Sequence, residues 1–225
     1  MILKINSEWM SISDLMSGLM LVFLFIAIGF MIEVEADKQK MKDVTASYRD
    51  TKANLNEILY AEFEKDLRIW DATITKDNSV VFHSPKVLFK ISQSDINAEF
   101  KTILEDFFPR YIKILTSKQY KNEIKEVRVE GHTSDSWGAI KSKKEIYLNN
   151  MRLSQARAYE VLSYCYSLDD DTIKENRSWL QMNFRANGMA FSKLKEQEKA
   201  RRVEFTIQMK SEDKIFKILK MDKKN

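Results

Sequence analysis

Three sets of side chains are of types, and at spacings, that could do chemistry. The first is a lone carboxylate, Asp14, the only charged residue between Glu8 and Glu33. An ionised acid at the lipid-facing centre of a membrane helix costs about 2.5–3.5 kcal/mol on insertion scales. Asp14 is therefore either an interfacial residue near a helix start, helped by Ser11 or Ser13 as cap and by the helix dipole, or a protonatable site on an ion path. Ser13 and Ser17 flank it, and Gly18 would let a second helix approach closely. The second set is GHTSD at 131–135, directly after a strand-like run. The third is Asn150, Leu153 and Arg157, whose offsets of three and seven put them on one helical face. If Asp135 and Arg157 met, they would offer opposite charges to a zwitterionic ligand, the Arg fork gripping its carboxylate bidentately. Taken alone, Arg157 equally fits a surface ion pair, and His132 a loop hydrogen bond.

Composition excludes several other chemistries. A net charge of +4 over 225 residues, without a clustered basic face, does not point to direct binding of nucleic acid. One cysteine, Cys165, excludes an internal disulfide, and two histidines, His83 and His132, with that cysteine argue against a zinc site. No nucleophile and base pair, phosphate loop or metal cluster stands out, so the expectation is a protein that is not an enzyme, with no metal and no cofactor.

The elements that must carry these residues follow from the pattern. Leu15–Ile32 reads LMSGLMLVFLFIAIGFMI, and counting from Ile12 gives a helix long enough to cross a bilayer, over 12–32. The run is too long for a cleaved signal peptide and lacks a small-residue exit. Lys38, Lys40 and Lys42 after it outnumber Lys4 before it, which by charge alone would put the N-terminus outside. Residues 33–78 contain neither proline nor glycine. Within them Met41, Val44, Tyr48, Thr51, Leu55 and Ile58 keep the three-four rhythm of a short coiled coil. A parallel homodimer is expected from that seam; the alternative is an amphipathic helix lying back on its own globular domain.

From 79 the texture becomes α/β. Strands are expected at 79–83, 126–131, 180–187 and 202–209, and helices at 95–115, with Asp95 as N-cap, and at 149–168. That alternation implies a small mixed sheet with helices packed on it, in a single domain over 79–209. Phe100, Ile103, Leu104, Phe107, Phe108, Tyr111 and Ile114 or Leu115 form its apolar stripe. A basic tail, 210–225, follows and reads as a frayed helix.

Two resemblances add to this reading. SISDLMSGLMLVFLFIAI resembles the single span of the B subunits of ion-driven rotary stators, the MotB group, in which the Asp carries the coupling ion; Asp14 is the matching position. GHTSD, Asn150, Leu153-Ser154, Arg157-Ala158 and Arg201-Arg202-Val203 look like the ordered motifs of the OmpA-like peptidoglycan-binding domain, and RANGMA at 185–190 is closer to its stator members. That likeness implies that Asp135 and Arg157 grip the diaminopimelate of the stem peptide, with Thr133, Asn150, Leu153 and Arg201 assisting. The sequence departs from the pattern at the extra Ser134, which lets either Ser134 or Asp135 fill the Asp position, and at Ala200, where the family has Asn.

Together the resemblances imply a B subunit in the bacterial inner membrane. Its N-terminus (1–11) would be cytoplasmic, since a wall-binding domain must be periplasmic and long exported domains translocate largely regardless of flanking charge. The implied partners are a ring of multi-span MotA/TolQ/ExbB-like subunits, a second copy of the chain, and peptidoglycan; the transported ion would be a proton or sodium. The short N-terminus and compact connector look more like the B subunits of Zorya anti-phage defence systems than like flagellar ones. Motility, or a passive OmpA-like wall tether, are the alternatives.

Overall fold

The computed structural model describes residues 3–83, 88–90, 93–140, 142–192 and 200–212, and only the backbone of 3–11. Most of the basic tail lies outside the described residues.

Helix α1 (Leu3–Leu67) runs unbroken for 65 residues. No proline interrupts it, and Gly18 and Gly29 have open space around them. Its first half is long and apolar enough to cross a membrane, and large side chains such as Leu15 and Phe25 stand fully outward from the protein. The second half is not simply a connector. Leu55, Leu59 and Phe63 are completely buried in the core of the folded domain, and Phe63 packs on Phe107 with ring centroids 5.2 Å apart. Their four-residue spacing follows one face of an α-helix, so the seam's lower end is already occupied by the chain's own domain.

Arg110 clasps this end of α1. Its guanidinium reaches Glu62 Oε1 at 2.7 Å, Asp66 Oδ2 at 2.9 Å and Asp106 Oδ2 at 3.1 Å, and lies over the Phe63 ring at 4.8 Å. Higher on the helix, the Tyr48 hydroxyl donates to Glu212 at 2.8 Å.

The sheet has five strands, β1 (Ala72–Ile74), β2 (Val80–Phe82), β3 (Ile124–Gly131), β4 (Phe184–Gly188) and β5 (Val203–Met209), in the order β1-β2-β5-β3-β4. All neighbours are antiparallel except β3 and β4. The folded unit thus begins ahead of 79, because β1 and the end of α1 belong to it. The run 180–187 is also corrected: residues 177–183 are helical, with Trp179 and Leu180 buried, and the strand starts only at Phe184. Short apolar runs fit a buried helix turn as well as a strand.

Helix α2 (Ala98–Leu115) buries the expected stripe from Phe100 to Tyr111, and Ile112 and Leu115 with it. Its N-cap position is Asn97 rather than Asp95, and no side chain caps it. Helix α3 (Lys143–Tyr166) lies on β3 and β4 and is followed by two short helices, α4 (Asp171–Glu175) and α5 (Arg177–Asn183). Burial raises the Cys165 thiol pKa, so this fully buried cysteine stays a protonated, inert core residue.

Leu59→Ala in the full chain, held in detergent, is expected to lose about 2–5 kcal/mol of stability to denaturant. Ile58→Ala, whose side chain is 38% exposed, should change it little. Equal, small effects at both positions would show that α1 is not part of the core.

Candidate functional site

The site is set by how closely α3 approaches the sheet. Gly131 and Gly188 are paired across β3 and β4. A Cβ on Gly131 would run into the Ser154 carbonyl, and one on Gly188 would lie 2.6 Å from the Gln155 nitrogen. Both positions accept only glycine, so the backbone of α3 rests directly on the two strands. Gln155 fastens it there, its amide donating to the Ala186 carbonyl at 3.2 Å and accepting from the Gly188 amide at 2.6 Å. The Ser154 hydroxyl accepts from the Ala190 amide at 3.0 Å.

Beside that contact, between the loop after β3 and the first turns of α3, is a cavity of about 330 Å³. Thr133, Asn150, Leu153, Arg157 and Arg201 all line it. Ser134, Ser136, Trp137 and Gly138 complete the wall. The sequence named none of the last three; the Trp-Gly step after GHTSD was the available signal, Gly138 supplying a φ of +50° in the loop.

Each polar group has a distinct setting. Arg157 is only 7% exposed; its Nε donates to the Gln93 carbonyl at 2.9 Å, and its guanidinium lies 4.8 Å over the Phe89 ring. Asn150 is buried and ties helix to loop, its amide donating to the Ser136 carbonyl at 3.2 Å and to the Ile146 carbonyl at 3.0 Å. The Thr133 amide donates to the Ala190 carbonyl at 2.8 Å, while its buried hydroxyl has no hydrogen-bond partner among the described residues. Arg201 is exposed at the rim. Burial, and secondarily the Arg201 charge, pull the Arg157 pKa down to about 10, so it remains a cation at neutral pH.

Asp135 is not brought to Arg157. It is exposed, does not line the cavity, and makes no ion pair among the described residues. Ser134 takes the inward position, and the chain then carries the next side chain outward.

Behind Thr133, Glu130 and Glu204 face each other across β3 and β5, with His132 next to both; one side-chain atom from each of the three falls within 4.8 Å of the others. Like charges directly opposite destabilise a sheet. Here Arg202 bonds Glu204, and Arg128 lies 3.9 Å from Glu130. Arg128 is shared with Glu126, 3.2 Å from its Nε, so this face carries three carboxylates beside two guanidiniums. Asp14, for its part, lies well inside α1, so Ser11 and Ser13 do not cap a helix start there. Ser17 donates to the Ser13 carbonyl at 2.8 Å.

No protein-family model matches the sequence. Among curated proteins, Zorya protein ZorB of Escherichia coli strain Crooks is 40% identical over 222 residues, covering 95% of this chain and 93% of that protein. Zorya protein ZorB of an enterotoxigenic Escherichia coli strain is 28% identical over 210 residues, 89% and 79% of the two chains. Similar solved structures include the cell wall anchor of the type VI secretion system from Pseudomonas aeruginosa, with a TM-score of 0.44 and 21% identity over 68% of this chain and 97% of that one. The periplasmic domain of Helicobacter pylori MotB gives 0.41 and 18% over 67% and 97%.

Two neighbouring guanidiniums with hydroxyls beside them suit a carboxylate. Binding of a simple carboxylate, followed by calorimetry, is expected to be flat through neutral pH. It should fall as the pH rises past about 10, where Arg157 gives up its proton. A loss already near neutrality would point to a different group.

Proposed function

The chain belongs to the family of Zorya protein ZorB, and on that premise we propose that it is the peptidoglycan-anchored B subunit of an ion-driven membrane stator acting in anti-phage defence. The observation that carries this reading is the joining, in one chain, of two parts. One is an apolar helix bearing a single carboxylate, and the other is a domain whose cavity presents two arginines. Similarity to the ZorB relative over 95% of the chain supports treating both ends as one machine.

In this reading α1 spans the inner membrane with its N-terminus in the cytoplasm, and the domain lies in the periplasm. Arg157 and Arg201 hold a carboxylate of the wall's stem peptide, with Thr133, Asn150 and Leu153 shaping the pocket. Two copies pair along the upper part of α1, where Met41 and Val44 precede the segment that packs on the domain from Tyr48 onward, and they sit inside a ring of MotA/TolQ/ExbB-like subunits. Protons or sodium ions bind Asp14 and leave it. A unit charge crossing the field releases about 2.3 kcal/mol per 100 mV. The anchored domain supplies the reaction to the torque that results. The proposed role is ion transfer and anchoring, with no substrate converted to product, so it is not enzymatic.

Asp14→Asn should abolish phage protection while leaving membrane insertion and co-sedimentation with purified sacculi intact. Arg157→Ala should do the reverse at the wall, lowering sacculus binding by about tenfold or more, the cost of losing one charged hydrogen-bonding partner. Full protection by the Asp14→Asn chain would reduce the protein to a passive tether.

A further inference from the structure

We propose that the chain's own C-terminal segment, residues 213–225, docks antiparallel along the upper face of α1, over Met41, Val44 and Tyr48. That segment lies outside the described residues; the face it covers does not. The docking is independent of wall binding. Only its consequence, competition with a second copy of the chain, rests on the pairing proposed above.

The face itself is the first ground. Every side chain described from Ile12 to Lys40 is exposed. From Met41 downward one stripe differs: Met41, Val44, Thr45 and Tyr48 are half-buried, while Lys42, Asp43, Ala46 and Ser47 between them stay exposed. The domain accounts for the lower end of the stripe, because Tyr48 packs against its core. Val44 and Met41 lie one and two turns higher, the latter about 10 Å from Tyr48, and are not among the residues packed on that core.

The exit of the chain is the second ground. Strand β5 ends at the buried Met209, and the Lys210 amide donates to the Glu123 carbonyl at 2.8 Å. Residues 210–212 turn into helix, and the Tyr48 hydroxyl donates to Glu212 at 2.8 Å. The chain thus leaves the domain with its last described residue already bonded to α1.

The two sequences match in register from that bond. With Glu212 opposite Tyr48, an antiparallel helix sets Phe216 opposite Val44 and Leu219 opposite Met41, since the same steps of four and then three residues occur in both. Ile215 and Ile218 widen the stripe. The apolar run IFKIL therefore ends level with Met41, where the half-buried stripe of α1 also ends. Beyond it Lys223 and Lys224 come level with Asp37 and Glu35. Residues 210–225 hold six lysines against three acids, and Glu33–Asp43 four acids against three lysines, so the net charges attract. Such exposed pairs add little beside the apolar match.

Met41 and Val44 are also the residues on which two copies pair in the proposed stator. A single apolar stripe cannot hold the chain's own tail and a partner's helix together. Docking and pairing at this level exclude each other, and the tail, being tethered, competes at high effective concentration.

The test is cysteine crosslinking of the full chain in membranes with a mild oxidant, the buried Cys165 staying inert. Val44→Cys with Phe216→Cys, and Met41→Cys with Leu219→Cys, should each form an intrachain disulfide. Ala46→Cys with Phe216→Cys, on the exposed side of the helix, should not. Interchain linkage between positions 44 and 216 would show a tail exchanged between copies and overturn docking on its own helix. Linkage of Val44→Cys only to its counterpart in a second copy would assign the stripe to pairing alone and overturn the inference. Absence of any linkage, as for a frayed tail or one drawn to the lipid surface, would overturn it too. Ending the chain after Glu212 should raise the interchain yield of Val44→Cys by about threefold or more. An unchanged yield would refute the competition.

Discussion

The seat of α3 on two glycines is the constraint on which the rest of the domain depends. A Cβ at Gly131 or Gly188 would strike backbone, not a flexible side-chain end, so the helix would have to move as a whole. Moving it would shift Ser154 from Ala190 and Gln155 from β4, and with them the ends of both loops beside the cavity. Asn150, Leu153 and Arg157 are spaced along the same helix, so their place in the cavity wall is inherited from that contact. Side chains set on packed elements hold geometry better than side chains set on loops. The soft part of the site is therefore the loop from Ser134 to Gly138, and the Asn150 amide spans it to the helix.

A second constraint lies on the other face of β3. Glu130 and Glu204 are register partners, an arrangement that an isolated hairpin would not tolerate. Alternation along the strands puts Glu126, Arg128 and His132 on the same face as Glu130, and Arg202 on the same face as Glu204, so two guanidiniums offset part of the charge of three carboxylates. The His132 amide donates to the Arg202 carbonyl at 3.0 Å and continues the strand pairing one step past the ladder. Thr133 is the next residue, and its amide is held by Ala190. The cavity's buried hydroxyl is thus backed by a buried polar cluster of Glu130, His132, Arg202 and Glu204.

Much of this was legible in the sequence because it depends on local periodicity. The α2 stripe from Phe100 to Tyr111 and the Asn150, Leu153, Arg157 face are consequences of 3.6 residues per turn, and the motif order brought Thr133 and Arg201 to the same place. What escaped depends on tertiary context. Strand β1 is three residues long, too short for alternation to register, and exists because β2 offers it an edge. The rhythm from Met41 to Ile58 fits a partner helix and a partner domain equally well. Only the burial of Leu55, Leu59 and Phe63 against Trp70 and Phe107 distinguishes the two at the lower end. Residues 180–183 carry apolar side chains that suit either period, and helix α5 takes them. The outward turn of Asp135 follows from an inserted residue, whose direction no spacing rule fixes.

The continuity of α1 has a mechanical consequence. From Ile32, where the apolar run ends, to Tyr48, where α1 first packs on the domain, the helix rises roughly 24 Å at about 1.5 Å per residue. A glycine and serine linker of equal length would have an r.m.s. span of about 5–6 Å times the square root of the residue number, and would transmit neither distance nor twist. Here the end of the helix is buried in the core and clasped by Arg110 to three carboxylates, so it cannot swivel against the domain without breaking both. A rotation applied to the apolar segment therefore reaches the cavity-bearing domain through one rigid rod. Conversely, a domain held by a ligand in its cavity resists that rotation along the same path. An anchor joined by a flexible tether would hold position without opposing torque; the proposed stator role needs both, and a continuous helix supplies the stiffness.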